Sequence, residues 1–363
     1  MKNTFGNNVT VTLFGESHGA SVGCVIDGLT PGLTVDEDFI SSLLAKRRPV
    51  GDISTARQEP DKFVIESGVF QGKTTGTPIC IRIPNCDVHS EDYPTDDRAV
   101  RPGHADMTAH AKYHGFEDYR GGGHFSGRIT AALVAAAGIV IPALAKKGIH
   151  IATHIQHING VYDRPFEDII ADVQSLKDIS FPVLNSDVEQ TMKDRIMAAK
   201  ADGDSVGGVL ETVVIGMPCG VGEPWFDTIE GMLSHALFSI PAIKGVEFGD
   251  GFALANMRGS QANDGWRMRD KPVTETNHNG GVNGGITNGM PIVFRCAVKP
   301  TSTIGKEQNT VTVEGNHEVV MTGKGRHDPC IVHRAAVVVD AVTALTLCDM
   351  LTTRYGTDWL GQV

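Results

Sequence analysis

Val9-Thr-Val-Thr-Leu-Phe-Gly-Glu-Ser-His-Gly-Ala-Ser-Val-Gly-Cys-Val-Ile-Asp-Gly28 decides the fold class. Val9 to Phe14 alternates with the period of a half-buried strand, and Gly23 to Gly28 is a short apolar run between glycines. The turn between them, Gly15-Glu-Ser-His-Gly19, fits the G-x-S-x-G nucleophile elbow, which requires a helix immediately afterwards. Ala20 to Ile26 reads as a second strand instead, so two neighbouring strands are predicted. A serine hydrolase acting through Ser17 is therefore the weaker alternative, because nothing precedes this strand to supply its oxyanion hole.

Outward from this stretch, Thr34 and Glu37 form a capping-box pattern that predicts a helix with Phe39, Leu43 and Leu44 on its apolar face, closed before Pro49. Lys46-Arg47-Arg48 suits its negative end. Strands are predicted at Phe63 to Phe70 and Pro78 to Ile83, followed by a polar loop from Pro84 to Arg101 long enough to suggest a lid. Ile129 to Ala145 reads as a buried helix. Ser186 and Glu189 predict a second capped helix ending near Asp202-Gly203, and strand-like runs cover Val209 to Ile215, Met290 to Val298 and Thr310 to Met321. The final run, Ile331 to Leu351, reads as a helix. Strands and helices do not alternate in βαβ order, so the expected class is α+β with largely antiparallel sheets. No linker forces a boundary, and residues 1–363 read as a single domain. Ser21-Val-Gly-Cys-Val-Ile26 and Ser205-Val-Gly-Gly-Val-Leu210 echo each other, a weak hint of duplication.

Composition excludes several classes. With 41% apolar and 21% charged residues, the chain has neither the low hydrophobicity nor the high charge of a disordered protein. A net charge of -11 argues against a nucleic-acid or anionic-membrane surface, so any anionic ligand must meet locally concentrated arginines. The seven cysteines form no C-x-x-C pair and are odd in number, so neither a zinc ribbon nor a disulfide framework is expected. The first residues lack the apolar segment of a signal peptide, which points to the cytoplasm. No membrane span is expected of the 129–145 run, which is shorter than the roughly 20 residues a bilayer needs. The 42 glycines in 363 residues, against roughly 7% in an average chain, indicate many turns and close backbone approaches.

His150, His154 and His157 could share one helical face as metal ligands, but they sit in an alternating segment and are expected to decorate a strand without metal. Ser67 to Thr74 lacks the first glycine of a P-loop, and Gly121 to Gly123 does not continue as a dinucleotide fingerprint. What remains is a series of Gly- and Arg-rich pieces: the 15–19 turn, Lys46 to Pro49, Arg101 to Asp106, Asp118 to Gly123, Ser126 to Arg128, Lys299 to Thr303 and Gly325 to Cys330. Guanidiniums grip phosphate and carboxylate bidentately, turn amides and hydroxyls bind phosphate oxygens, and histidines titrate near neutrality. The residues alone indicate an acid–base site for small anionic phosphates.

Three segments in this order resemble chorismate synthases: Gly15 to Gly28, Arg101-Pro-Gly-His-Ala-Asp106 leading to Tyr119-Arg-Gly-Gly-Gly123, and Gly325-Arg-His-Asp-Pro-Cys330. The resemblance spans nearly the whole chain. It implies a β-α-β sandwich of antiparallel sheets assembled as a homotetramer, and anti 1,4-elimination of phosphate from 5-enolpyruvylshikimate 3-phosphate to chorismate with reduced FMN. NADPH would serve as an indirect reductant. By the same resemblance His18 protonates the leaving phosphate, His104 keeps the flavin in its protonation state, and Asp328 assists proton removal. Arg47, Arg48, Arg101 and Arg128 would clamp substrate with Ser17 and Ser126 nearby. Arg47, His124, Phe125, Ser126, Ala242, Gly284, Lys299, Pro300, Thr301, Ser302, Thr303 and Arg326 would contact FMN, and no metal is implied.

The chain departs from that pattern at four places. The usual Gly-Gly-Gly-Arg-Ser-Ser-Ala-Arg is here Gly121-Gly-Gly-His-Phe-Ser-Gly-Arg128, and the frequent Ser-Ile-Asn-Ala is Ser239-Ile-Pro-Ala242. Arg57 is the candidate for an arginine that commonly follows Arg-Arg-Pro, and Asp340 replaces a glutamate. The His124-Phe125 change motivates a second alternative, a paralogue that binds a phosphorylated anion without turnover.

Overall fold

The computed structural model describes residues 2–49, 51–55, 59–87, 98–315, 317–323 and 328–361. The first half comprises β1 (Thr4–Phe5), β2 (Thr10–Gly15), β3 (Ser21–Asp27), α1 (Glu37–Lys46), β4 (Val64–Ile65), the small hairpin β5 (Val69–Phe70) and β6 (Lys73–Thr74), then β7 (Ile79–Pro84), α2 (Asp106–Tyr113) and α3 (Thr130–Lys146). Its sheet runs β1-β2-β3-β7-β4, with every pairing antiparallel. The opening stretch is the strand–turn–strand expected of it, pairing Gly15 with Val22 and Thr10 with Asp27.

The second half comprises β8 (His150–Ile158), β9 (Val161–Tyr162), α4 (Ile169–Ser175), α5 (Ser186–Ala201), β10 (Gly208–Ile215), α6 (Ile229–Leu237) and β11 (Ile243–Phe248). After α7 (Gly259–Ala262) come three two-stranded pieces around one long strand: β12 (Trp266–Met268) with β13 (Pro272–Thr274), β14 (Val282–Asn283) with β15 (Ile286–Thr287), β16 (Ile292–Val298), and β17 (Glu307–Val311) with β18 (Glu318–Thr322). The chain closes with α8 (Val332–Tyr355). The second sheet runs β11-β16-β10-β8-β9, again wholly antiparallel. The two echoing fragments supply β3 and the start of β10, the central strand of each sheet.

Helices fill the space between the sheets. α3 packs under β3 and β7, α8 packs on β8 and β10, and the two helices pack on each other, flanked by α1 and α6. This is an α+β sandwich of sheet, helices and sheet. The helical run Gly127–Lys146 and α8 are both long and apolar enough to cross a membrane, but 72% and 94% of their apolar windows are buried inside the protein. Such all-round hydrophobicity belongs to core helices as well as to spans. Gly138 lets α1 approach α3 closely: a Cβ there would stand 2.6 Å from Ile40 Cγ1 and 3.2 Å from its Cα.

Local readings shift by one or two residues. The side chain capping α1 is Asp36, which accepts from the Phe39 amide, while Thr34 bridges to Lys73. Asn185 rather than Ser186 caps α5. Thr310 to Met321 is not one strand but parts of the β17–β18 hairpin, because the run bends through Glu314-Gly315. The loop expected as a lid falls mostly at 88–97, outside the described residues.

On β8, His154 is fully buried between Asp163 (2.9 Å) and Glu211 (3.0 Å). Burial works against its charge, yet bonds to the two carboxylates outweigh burial and raise its pKa above the ordinary 6.5. The imidazolium's contribution to stability is complete below that unfolded value and is lost as pH rises through the folded one. Unfolding free energy should thus fall with rising pH above about 6.5, and His154→Gln should flatten that slope in urea titrations across pH. Gly138→Ala should cost about 1–3 kcal/mol in the same measurement, since the Ile40 backbone must give way.

Candidate active site

The β2–β3 turn, the C-terminal end of α1, the segments leading into α2 and α3 and the turn after β16 surround a cavity of 1250 Å³. Single small-molecule pockets are usually about 300–1,000 Å³. Its walls include His18, Arg47, Arg48, Arg101, His104, His124, Phe125, Ser126, Arg128, Ala242, Lys299, Pro300, Thr301, Ser302, Thr303 and Asp328. Segments far apart in sequence therefore meet at one place.

Three successive glycines bring the histidines together. Gly121, Gly122 and Gly123 have φ of 60°, 86° and 54°, a left-handed run that side chains resist. A Cβ on Gly121 would lie 2.4 Å from His18 Nε2 and 2.9 Å from Ser17 Oγ, and one on Gly122 3.2 Å from His104 Nε2. The Gly123 carbonyl accepts the Ser17 amide at 3.0 Å, and His124 Nδ1 donates to the Gly15 carbonyl at 2.8 Å, so the run is bound to the β2–β3 turn.

Arg101, expected at the substrate, is turned to Asp106 instead, with Nε and Nη2 donating at 2.8 and 2.6 Å. Burial would raise the Asp106 pKa, but bonds from Arg101 and His104 prevail and hold it far below the ordinary carboxylate value. The ionised carboxylate can only accept, so His104 Nδ1 donates to it at 3.1 Å and Nε2 is left facing Gly122. Arg101 thus orients His104 through Asp106, and its Nη2 also packs 3.1 Å from His104 Nδ1.

Arg47 and Arg128 are likewise not open clamps. Arg47 is 7% exposed rather than a solvated helix cap: Nη1 donates to the Gly127 carbonyl and Thr130 Oγ1, and Nη2 faces Asp61 at 3.5 Å. Burial pulls its pKa down to about 10, against the opposing pull of Asp61. Arg128 is committed to Asp61, Asn85 and the Pro84 carbonyl, with Glu59 at 3.9 Å. Among the described residues the Arg48 side chain makes one bond, to the Pro60 carbonyl. Ser17 is fully buried behind Gly121 rather than on the cavity wall.

On the opposite wall Lys299 Nζ and Ser302 Oγ both reach the Gly103 carbonyl, at 2.5 and 2.9 Å, docking the turn after β16 on the 101–106 segment. Ser126 Oγ accepts the Arg128 amide, and Phe125 meets Tyr113 edge-on at 6.1 Å. Ala242 holds a left-handed φ of 75°, and its carbonyl accepts the Lys299 amide. Gly284, expected at FMN, lies outside the cavity lining in the β14–β15 turn, where its φ of 61° accounts for the glycine. Asp340 is also outside it; burial pushes its carboxyl up to about 6 despite a bond from Thr153. Arg57 and Arg326 lie outside the described residues.

Several contributors carry no sequence signal. Glu59 and Asp61 follow no motif, Arg98 stacks over Tyr119 with its guanidinium 3.9 Å from the ring centre, and Arg334 pairs with Asp328 at 2.6 Å. Arg334 follows Asp328 by six residues, at the start of α8, and only that proximity could have drawn attention to it.

Fold and cavity together define an α+β protein whose acid–base groups face a cation-rich pocket suited to small polyanions. The chorismate synthase family model matches residues 9–352. The chorismate synthase of Aeropyrum pernix is 46% identical over 356 residues, covering 97% of this chain and 93% of that one. The Pyrococcus abyssi chorismate synthase is 45% identical, covering 95% and 96%. A crystal structure of chorismate synthase superposes with a TM-score of 0.74 at 28% identity, covering 98% of this chain and 94% of that one. The chain belongs to the chorismate synthase family of carbon–oxygen lyases. Neither the serine hydrolase nor the non-catalytic paralogue finds support among these relatives.

Gly121→Ala should leave the fold intact and lower turnover about 10²-fold by displacing His18, the loss that a misplacement of about 1 Å produces. Phosphate release alongside far-ultraviolet circular dichroism checks this.

Proposed function

We propose that this chain eliminates phosphate from 5-enolpyruvylshikimate 3-phosphate, anti and 1,4, to give chorismate with reduced FMN bound in the same cavity. The observation that carries this reading is the seating of His18 and His104 against adjacent glycines of one left-handed run. The cavity exceeds the usual space for one ligand. Thr301 Oγ1, Arg47 Nε and Arg48 Nε are buried without a hydrogen-bond partner among the described residues. Buried polar atoms are seldom left so, and these fit a ligand bearing carbonyl, hydroxyl and phosphate groups.

Reduced FMN supplies the transient electron donation that an allylic elimination without net redox change requires. The chain's residues supply positions and protons. His18 gives its proton to the bridging oxygen as the C–O bond breaks, so phosphate leaves as the weaker base. His104, its Nδ1 proton held by Asp106, keeps Nε2 available for the proton balance beside the cofactor. Asp328 takes up the proton that derives from the substrate C–H bond. Arg48 has donors without a partner among the described residues for the substrate's anionic groups, whereas Arg47 and Arg128 shape the wall and contribute long-range positive potential. Lys299 to Thr303, with His124 to Ser126 and Ala242, form the proposed FMN side. The substrate is the sole small-molecule partner besides cofactors, and NADPH is read as an indirect reductant.

A homotetramer is part of this reading, favoured by solvent-facing Trp225, Phe226 and Phe252, which are 88%, 90% and 83% exposed. A cytoplasmic location is favoured by the seven free cysteines, which suit a reducing compartment. Residues 1–363 are taken as one catalytic domain.

Anaerobic turnover with photoreduced FMN, followed by phosphate release, tests the reaction. Well-folded protein that releases none would overturn it. His18→Ala and His104→Ala should each lower kcat by roughly 10²–10⁴ with unchanged circular dichroism; near-normal rates would refute their roles.

A further inference from the structure

We propose that Arg334 is a positioning residue for the elimination, acting through Asp328, an inference that rests on the role given to Asp328 above. Asp328 Oδ1 accepts the Thr55 amide at 2.8 Å, and Oδ2 accepts Arg334 Nη1 at 2.6 Å. Arg334 Nε donates to the Arg47 carbonyl at 2.8 Å, at the C-terminal cap of α1. One guanidinium therefore ties together the 328 segment, the start of α8 and the end of α1. Its Cα cannot drift, because it belongs to a helix buried on nearly every turn.

Both groups border the cavity, with side chains 17% and 16% exposed, so the carboxylate is reachable and still fixed in orientation. Among the described residues, the other ionisable groups beside Asp328 do not compete for it. Burial pushes the Cys330 thiol up to about 12 and the His333 imidazole down to about 4, leaving both neutral, and Arg47 directs its guanidinium to Gly127, Thr130 and Asp61. Arg334 is the one direct cationic partner of Asp328 among the described residues. Without it the carboxylate keeps, among the described residues, a single backbone donor and can rotate about its side-chain torsions. A forked guanidinium fixes a carboxylate in a way that a point charge does not.

Four variants test this: Arg334→Gln, Arg334→Lys, Asp328→Asn, and Arg334→Gln combined with Asp328→Asn. For each, kcat and KM are measured anaerobically and FMN affinity by fluorescence quenching. Arg334→Gln should lower kcat about 10²-fold, with KM and FMN affinity within about twofold, and Arg334→Lys should recover part of the loss. The double variant should be no slower than Asp328→Asn alone, as expected of residues that act as a unit. Losses that multiply, or a fall confined to KM or FMN affinity, would show an independent clamp and overturn the proposal. Slow Asp328→Asn beside normal Arg334→Gln overturns the positioning role alone, while normal Asp328→Asn overturns the underlying reading as well. If Arg334→Gln fails to fold, Arg334→Lys decides: a kcat equal to the unmodified enzyme's refutes the need for the fork.

Discussion

A buried carboxylate, Asp61, holds the active-site end of this molecule together. It faces the guanidiniums of Arg47, at the end of α1, and Arg128, just before α3, and both cations are almost wholly withdrawn from water. Burying an unpaired charge costs far more than burying a paired one, so these helices can meet only where an anion is available to both. Asp61 itself sits at a left-handed φ of 50°, a conformation that surrounding bonds must impose. Arg128 continues to Asn85 and Pro84 at the end of β7, and the Arg47 carbonyl receives Arg334 from α8. The first sheet, α1, α3 and α8 thus converge on one small cluster, and the cavity opens beside it.

On this frame the glycine run performs a second task. Three left-handed residues in succession turn the backbone so tightly that the rings of His18 and His104 rest where β-carbons would otherwise project. The departure His124 belongs to the same arrangement. Its Nδ1–H occupies the Gly15 carbonyl, so the replacement ties the glycine run to the β2–β3 turn as well as lining the cavity. Arginines expected to grip substrate have turned out to organise other groups: Arg101 orients His104, and Arg128 neutralises Asp61. An excess of cations near an anion site therefore does not mean that each touches the ligand.

The motif pieces were legible because their chemistry is local. Gly15 to Gly19, Arg101 to Asp106 and the 121–123 run each need a particular backbone or a short-range partner, and each carries it within a few residues. The antiparallel class followed instead from the order of the elements, since strands and helices do not alternate in βαβ fashion. Glu59, Asp61 and Arg98 were not legible, because their partners are distant in the chain: Asp61 meets Arg128 from 67 residues away, and Arg98 meets Glu314 from 216. Helix starts were misplaced for a related reason. Thr34 and Ser186 fit the capping pattern, but Thr34 is engaged with Lys73, and Asp36 and Asn185 were better placed to accept the first amides.

By itself the sequence determined what depends on period, turn chemistry and residue type: alternating strands, two apolar helices, glycines where the backbone turns left-handed, and histidines in a cation-rich context. Tertiary structure alone decided which cations remain open and which are consumed. Charge burial is a balance between groups brought together from distant segments, and no spacing along the chain records it. The arginines at 47, 101 and 128 look interchangeable in sequence, yet folding gives one to a helix junction, one to a histidine and one to a buried carboxylate.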